Sequence, residues 1–427
     1  MDYLEYFDVI KKKYNLTDGK RNIFIIGTPN HGNMGDHAIW YATQRLMEDF
    51  FYDSNVVDID IGDFWEDIGA IASLIKESDI IILQGGGNLG NRYMDDELIR
   101  RCTVIYFPNN RLIMFPQTIY FSDDENGRTE LKKSIQIYEK NKNLVLIARD
   151  TYSYKVMREN FTNDIFVLQD VALTLNYVDK NKETEDILFC FRNDAEGIIR
   201  REEIREMEEF LVQRGNVVRY TDTQVEKYAK KDREWMLNRK IEEFQSASMV
   251  VTDRLHGMIF SVITGTPCIV FDNYNSKIKN AYLDLKDMDY IIMVSQKDEF
   301  ITSYELLMNK KSGIYDEKPV IECFSKLLKK IFKQSAQSAA KEDFYQNYQN
   351  YMNILGNWSM KVMTLQVQSK EKTNELVIYK DWVDNLKKQN EELSEALNEM
   401  KSKEKQWNIQ QRELYKCIKY EREKNKK

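Results

Sequence analysis

The sequence predicts an α/β protein: two doubly wound, Rossmann-like domains facing a cleft, followed by a helical tail. Three observations carry this. Uncharged runs of four to six apolar residues alternate with amphipathic stretches, the signature of parallel strands covered on both faces by helices. The alternation stops once, at the polar stretch NYVDKNKETED (176–186), and then restarts. Beyond about residue 335 the alternation is gone, and Glu, Lys, Gln and Asn dominate. The expected domains are therefore 1–178, 186–334 and a helical extension over 340–427.

In the first domain NIFIIG (22–27), VVDID (56–60), IIILQ (80–84), RLIMF (111–115), LVLIA (144–148) and IFVL (165–168) read as strands. Helices are expected over 37–51, near 65–77, near 94–102, over 124–141 and near 151–160, the last capped by Asp150 unless that carboxylate faces the cleft. In the second domain ILFCF (187–191), VVRY (217–220), SMVV (248–251), PCIVF (267–271) and YIIMV (290–294) read as strands with helices between them. Along the tail Tyr379, Leu386, Leu393, Met400, Trp407 and Leu414 recur every seven residues, but half of the companion positions are polar. That stripe reads as a coiled coil, through which the chain could pair with a copy or partner, or as a long helix docking elsewhere.

The formal net charge of −7 argues against a general nucleic-acid binder. Five scattered cysteines and three histidines offer neither a disulfide framework nor a zinc spacing. The N-terminal segment is charged and unlike a signal peptide, and no apolar run reaches the ~20 residues of a membrane helix. A cytoplasmic protein is expected.

Every chemical signature falls just after a strand, where open parallel sheets bind their ligands. GTPNHGNMGDHA (27–38) supplies Gly32, Asn33 and Gly35, and Asp36 reads as the cap of the following helix, with free N–H groups for an anion. A tight turn would need the same glycines, and would leave His31 and His37 as surface residues. LQGGGNLGNRY (83–93) supplies Gly85, Gly86, Gly87 and Asn88; three successive glycines are entropically costly in a plain turn and suit a loop wrapping a ligand. In FPQTIYF (115–121) Pro116 should end a strand and aim Gln117 and Thr118 into the crevice. Arg149 abuts a buried strand and so needs an anionic partner. TDRLHGMIFSVITGTPCIVFDNYNSK (252–277) places Arg254 and His256 at a helix start, with Leu255, Ile259, Val262 and Ile263 facing the sheet, and ends on Lys277. Arg254 and the helix terminus both disfavour an imidazolium, so a proton on His256 calls for negative charge in the substrate. A small donor bearing phosphate and carboxylate would supply it.

In this order, GNMGD (32–36), GGGNLG (85–90), PQTI (116–119), ARDxxS (148–153), QDVAL (169–173), TDRLHG (252–257) and GTPCIVFDNYNSK (265–277) resemble the polysaccharide pyruvyl transferase family. The resemblance spans about 20–300 and implies a fold like that of GT-B glycosyltransferases. It also implies an activity, transfer of the pyruvyl group of phosphoenolpyruvate to two hydroxyls of a sugar or lipid-linked oligosaccharide, with no further cofactor. A lipid-linked acceptor would bring the enzyme to the inner face of the membrane. Arg149, Arg254 and His256 match the family's donor-binding and catalytic positions. Gln169 stands where Pro is common, and Tyr120 where Gly is. The alternatives are a glycosyltransferase using a nucleotide sugar, and a non-catalytic assembly protein acting through its tail.

Overall fold

The computed structural model describes residues 3–16, 19–179, 186–192, 199–226, 230–272, 277–310 and 312–333. The chain divides into two compact units, residues 14–339 and residues 1–13 with 340–427. In the second unit the described part is helix α1 (Tyr3–Lys13). The heptad stripe of 379–414 lies outside the described residues.

The larger unit holds two sheets, and every pairing is parallel. The first contains β1 (Asn22–Thr28), β2 (Asn55–Asp60), β3 (Ile80–Leu83), β4 (Gly86–Gly90), β5 (Arg111–Tyr120), β6 (Leu144–Ala148) and β7 (Asp164–Val167). Its order is β2-β1-β3-β5-β6-β7, with β4 continuing alongside β5. The second contains β8 (Ile187–Cys190), β9 (Val218–Thr221), β10 (Met249–Thr252), β11 (Cys268–Phe271) and β12 (Ile291–Val294), in the order β12-β11-β10-β8-β9. In each sheet the winding reverses next to the first strand, between β1 and β3 and between β8 and β10. Ligands of doubly wound sheets bind outside the strand C-termini at such points.

Helices α2 (Met34–Phe50), α3 (Ile61–Leu74), α4 (Met94–Tyr106), α5 (Glu125–Tyr138) and α6 (Thr151–Asn160) connect the first sheet, and a 3₁₀ turn (Val171–Thr174) leaves it. Helices α7 (Arg201–Gln213), α8 (Arg233–Ser246), α9 (Leu255–Thr264), α10 (Lys277–Tyr282), α11 (Lys297–Leu307) and α12 (Lys318–Lys333) serve the second. Ile259, Val262 and Ile263 of α9 and Phe324 and Leu328 of α12 belong to the same buried cluster as Ile23, Ile25 and Ile113 of the first sheet. The sheets therefore share one core, and each such side chain contributes about 1.5–3 kcal/mol by leaving water.

Two expectations about elements are corrected. Pro116 does not end β5, which runs on to Tyr120; the register shifts between Met114 and Gln117. Proline has no N–H for the ladder and is tolerated at such an irregularity. The triple glycine is not simply a loop, because Gly86–Gly90 forms β4 against β5. Behind it, buried Arg101 of α4 is held by Glu97, Glu130 and Ser134, fixing α4 to α5.

Candidate active site

GNMGD is where the two halves meet. The Val225 N–H donates to the Gly32 carbonyl and the Met34 N–H to that of Thr223, both at 2.8 Å, with Asn33 bridged antiparallel to Gln224. A Cβ on Gly32 would lie 2.8 Å from the Val225 carbonyl carbon, so glycine is required for this close approach. Asn33, not Asp36, caps α2: its Oδ1 accepts from the Gly35 N–H at 3.1 Å. The expected anion-binding donors at Met34 and Gly35 are thus engaged within the protein. Gly35 lies directly against the His256 ring, and a Cβ there would be 2.8 Å from His256 Cβ and closer still to Nδ1 and Cγ. Asp36, in the first turn, faces Gly86 on one side and His31 on the other, with Oδ2 3.8 Å from His31 Nε2. His37 is no surface residue. It is 1% exposed, its Nε2 is 2.7 Å from the His31 carbonyl, and burial pushes its pKa down to about 4.

The glycine strand carries the next group of contacts. Gly86 and Gly90 adopt φ values of 148° and 134°, open to glycine alone. Gly87 is the meeting point of two cations from opposite halves. Lys277, at the start of α10, donates from Nζ to the Gly87 carbonyl at 3.2 Å. Arg149 Nη2 would lie 3.0 Å from a Cβ on Gly87. Gln117 and Asn88 do not face this space. Gln117 is fully buried and donates to the Gln84 carbonyl at 2.7 Å. Asn88 donates to Asp96 at 2.7 Å and accepts from Arg100. Both brace the glycine strand from behind, and Gly85 is packed beneath it against Pro116 and Ile39.

Arg149 ends β6, and its anionic partner is internal. Nη1 donates to Asp170 Oδ2 at 3.0 Å, while Nε and Nη2 donate to Thr118 Oγ1 at 3.1 and 2.8 Å. Thr118 is therefore nearly buried and turned to Arg149. Asp150 takes the capping role, accepting from the Ser153 N–H at 2.7 Å. Asp170 caps the 3₁₀ turn through the Ala172 N–H, and its Oδ2 lies 3.6 Å from His256 Nε2. Burial works to raise this carboxyl. It is overcome by His256, Arg149 and the Ala172 N–H, which hold it down at about 2. Asp170 is thus a fixed negative charge between an arginine and a histidine. It was not singled out as a site residue from sequence, although QDVAL contains it; one carboxylate before an apolar turn reads only as a cap.

Arg254 is the N-cap residue of α9, and its Nη2 pairs with Asp222 Oδ2 at 2.7 Å. Asp222 begins the loop whose residues 223–225 join Gly32–Met34. His256 follows in the first turn, its side chain 11% exposed. Glycine at 257 lets α9 approach β10: a Cβ there would lie 3.0 Å from Thr252 Cβ. Asp253, 1% exposed, accepts from the Arg192 N–H at 2.8 Å, yet burial raises its pKa to about 6. Among the described residues no three His, Cys, Asp or Glu side chains gather as metal ligands would.

The structure thus brings together Gly35, Asp36, Gly86, Gly87, Arg149, His256 and Lys277 and adds Asp170; Arg254 starts the same helix as His256, and its guanidinium is paired with Asp222. It assigns Gly32 and Asn33 to the seam between halves, and Gly85, Asn88 and Gln117 to support. No described helix is long and apolar enough to cross a membrane.

The chain is similar to several known proteins. General stress protein 30 of Bacillus subtilis (strain 168) is 34% identical over 289 residues, 66% of this chain and 83% of that protein. Pyruvyl transferase 1 of Schizosaccharomyces pombe is 27% identical over 293 residues, 64% of this chain and 68% of that protein. A solved UDP-GlcNAc 2-epimerase from Methanocaldococcus jannaschii, in complex with UDP-GlcNAc and UDP, overlays with a TM-score of 0.44 at 13% identity, covering 73% of this chain and 99% of that one. Residues 33–276, more than half of the chain, match the polysaccharide pyruvyl transferase family, and the chain belongs to that family.

Proposed function

We propose that the protein transfers the pyruvyl group of phosphoenolpyruvate onto two hydroxyls of a sugar in a polysaccharide or its precursor, forming a cyclic ketal and releasing phosphate. The supporting observation is the convergence on one spot of Lys277 and Arg149 at Gly87, with Asp170 set between Arg149 and His256. Lys277 and Arg254 hold the donor's anionic groups, the donor replacing Asp222 as the partner of Arg254. Arg149 already has Asp170, so it supports the site's positive field and fixes Asp170.

His256 gives its proton to the methylene carbon, turning CH₂ into CH₃ and leaving positive charge at C2, shared with oxygen. Asp170, 3.6 Å from Nε2, positions the ring for that transfer. A sugar hydroxyl adds to C2 and loses its proton, and Asp36, beside Gly86, is the base within reach. Phosphate leaves with its bonding pair and takes up the proton that Asp36 has accepted. The second hydroxyl closes the ring and returns a proton to His256. Two hydroxyl protons are released and two are consumed, one at the methyl and one on phosphate, so the enzyme ends as it began. General acid–base catalysis of this kind contributes about 10²–10⁴-fold.

The test is to incubate the protein with phosphoenolpyruvate and a panel of glycosides, following phosphate release together with mass gain on the sugar. His256→Ala should abolish ketal formation while phosphoenolpyruvate still binds. Turnover of a nucleotide sugar with no phosphoenolpyruvate dependence would replace this reading with glycosyl transfer.

A further inference from the structure

Away from the cluster, the C-terminal half of α2, the segment 174–177 and α12 enclose an open groove of about 710 Å³. That volume lies within the range of built small-molecule sites, about 300–1,000 Å³. The charged side chains along it cancel: Arg45 and Lys329 against Asp49 and Glu317. Such a groove has no net field for a phosphate or a polyanion. The uncharged lining combines aliphatic Leu46, Leu175 and Ile321 with aromatic rings and hydroxyls, chiefly those of Tyr41, Tyr52 and Tyr177. Tyrosine offers an apolar ring face and a hydroxyl that both donates and accepts. Burial, then the neighbouring Tyr41, push the Tyr177 hydroxyl up to about 12, so it keeps its proton at neutral pH. Two polar contacts already order the walls: Arg45 Nη1 donates to the Tyr41 hydroxyl at 3.2 Å, and Asn176 donates to Glu317 at 2.5 Å. Tyr52 stands 88% exposed at the rim, where its ring face is open to a ligand.

We infer that this groove is a second binding site, for an uncharged oligosaccharide stretch of the acceptor polymer, separate from the sugar being modified. Ring faces for pyranose C–H surfaces, hydroxyls and amides for sugar hydroxyls, and balanced charge suit a neutral carbohydrate better than an anion. The groove is also tied to the chemistry. The 3₁₀ turn is capped by Asp170 and ends at Thr174 on the groove wall, and α2 passes Gly35, beside the His256 ring, on its way to Phe50 in the groove. The inference rests on the polysaccharide nature of the acceptor, so its test is made without donor or turnover.

The experiment is calorimetric titration of the full chain with neutral probes, cellohexaose and a galactohexaose, and with a hexasaccharide bearing a carboxylate. Wild type should bind a neutral hexasaccharide, and Tyr52→Ala with Lys329→Ala should weaken it by tenfold or more. His256→Ala should bind it as wild type does. Failure of both neutral probes, preference for the carboxylated one, indifference to the double variant, or loss in His256→Ala would each overturn the assignment. Groove binding that persists in a protein releasing no phosphate from phosphoenolpyruvate would leave the groove standing and sink only the proposed reaction.

Discussion

Adding one methyl group at residue 35 tests whether His256 is held in place by the opposite half of the protein. In Gly35→Ala the new Cβ would lie 2.8 Å from His256 Cβ and nearer still to the ring atoms Nδ1 and Cγ. Carbon atoms rest at about 3.5–4.0 Å, so the imidazole must withdraw by about 1 Å or more. Neither neighbour yields easily: α2 is pinned by the Met34 and Val225 hydrogen bonds, and α9 is packed in the core. The ring must therefore leave its present position beside Asp170. A displacement of about 1 Å at a reacting group costs on the order of 10²-fold in rate, equivalent to about 2.7 kcal/mol of barrier. Stability should fall by about 1–3 kcal/mol, as for overpacking. The assay pairs steady-state phosphate release with thermal melting. Gly69→Ala is the control, since that glycine is in α3 with nothing within 4 Å of a new Cβ. It should gain stability of about 0.4–1 kcal/mol and keep its rate. A Gly35→Ala protein with wild-type turnover would refute the seating of His256 on Gly35.

Three further outcomes follow from the same geometry. Asp170→Asn removes the charge between Arg149 and His256, leaving buried Arg149 without its anion; a loss of about 3–5 kcal/mol on denaturant titration is expected, with turnover reduced together. Its wild-type carboxyl sits at about 2, below the unfolded value, so its contribution to stability is present above about pH 4 and is lost as pH falls towards 2. Asp253 works in the opposite sense: its pKa is about 6, so the folded state binds the extra proton and stability falls as pH rises from about 4 to 6. Asp253→Asn should flatten that interval on a pH series of melts, and an unchanged slope would contradict it. Lys277→Ala should raise the KM for phosphoenolpyruvate at least tenfold while a neutral acceptor's affinity holds, read by initial rates and direct titration.

Much of the fold was legible because parallel strands are covered on both faces and so read as unbroken apolar runs. LVLIA is β6 residue for residue, and Asp150 marked the start of α6 because a carboxylate there satisfies the first N–H groups. β4 was hidden because glycine carries no side chain from which a strand's pattern can be read. The end of β5 was misplaced because proline usually interrupts a ladder, and here a shift in register absorbs it. In the site, Arg254 and His256 stood out through an unusual pairing at a helix start. The roles of Gly32 and Gly35 did not, since both depend on neighbours far along the chain, Val225 and His256. The same distance concealed Asp170 as the partner of two site residues at once.

The short backbone pairing of Gly32–Met34 with residues 223–225 also restricts how the enzyme can breathe. Those bonds tie the first turn of α2, and with it the glycine seated against the His256 ring, to the loop that follows β9. Lys277, reaching across to Gly87, joins the halves a second time, through a side chain instead of backbone.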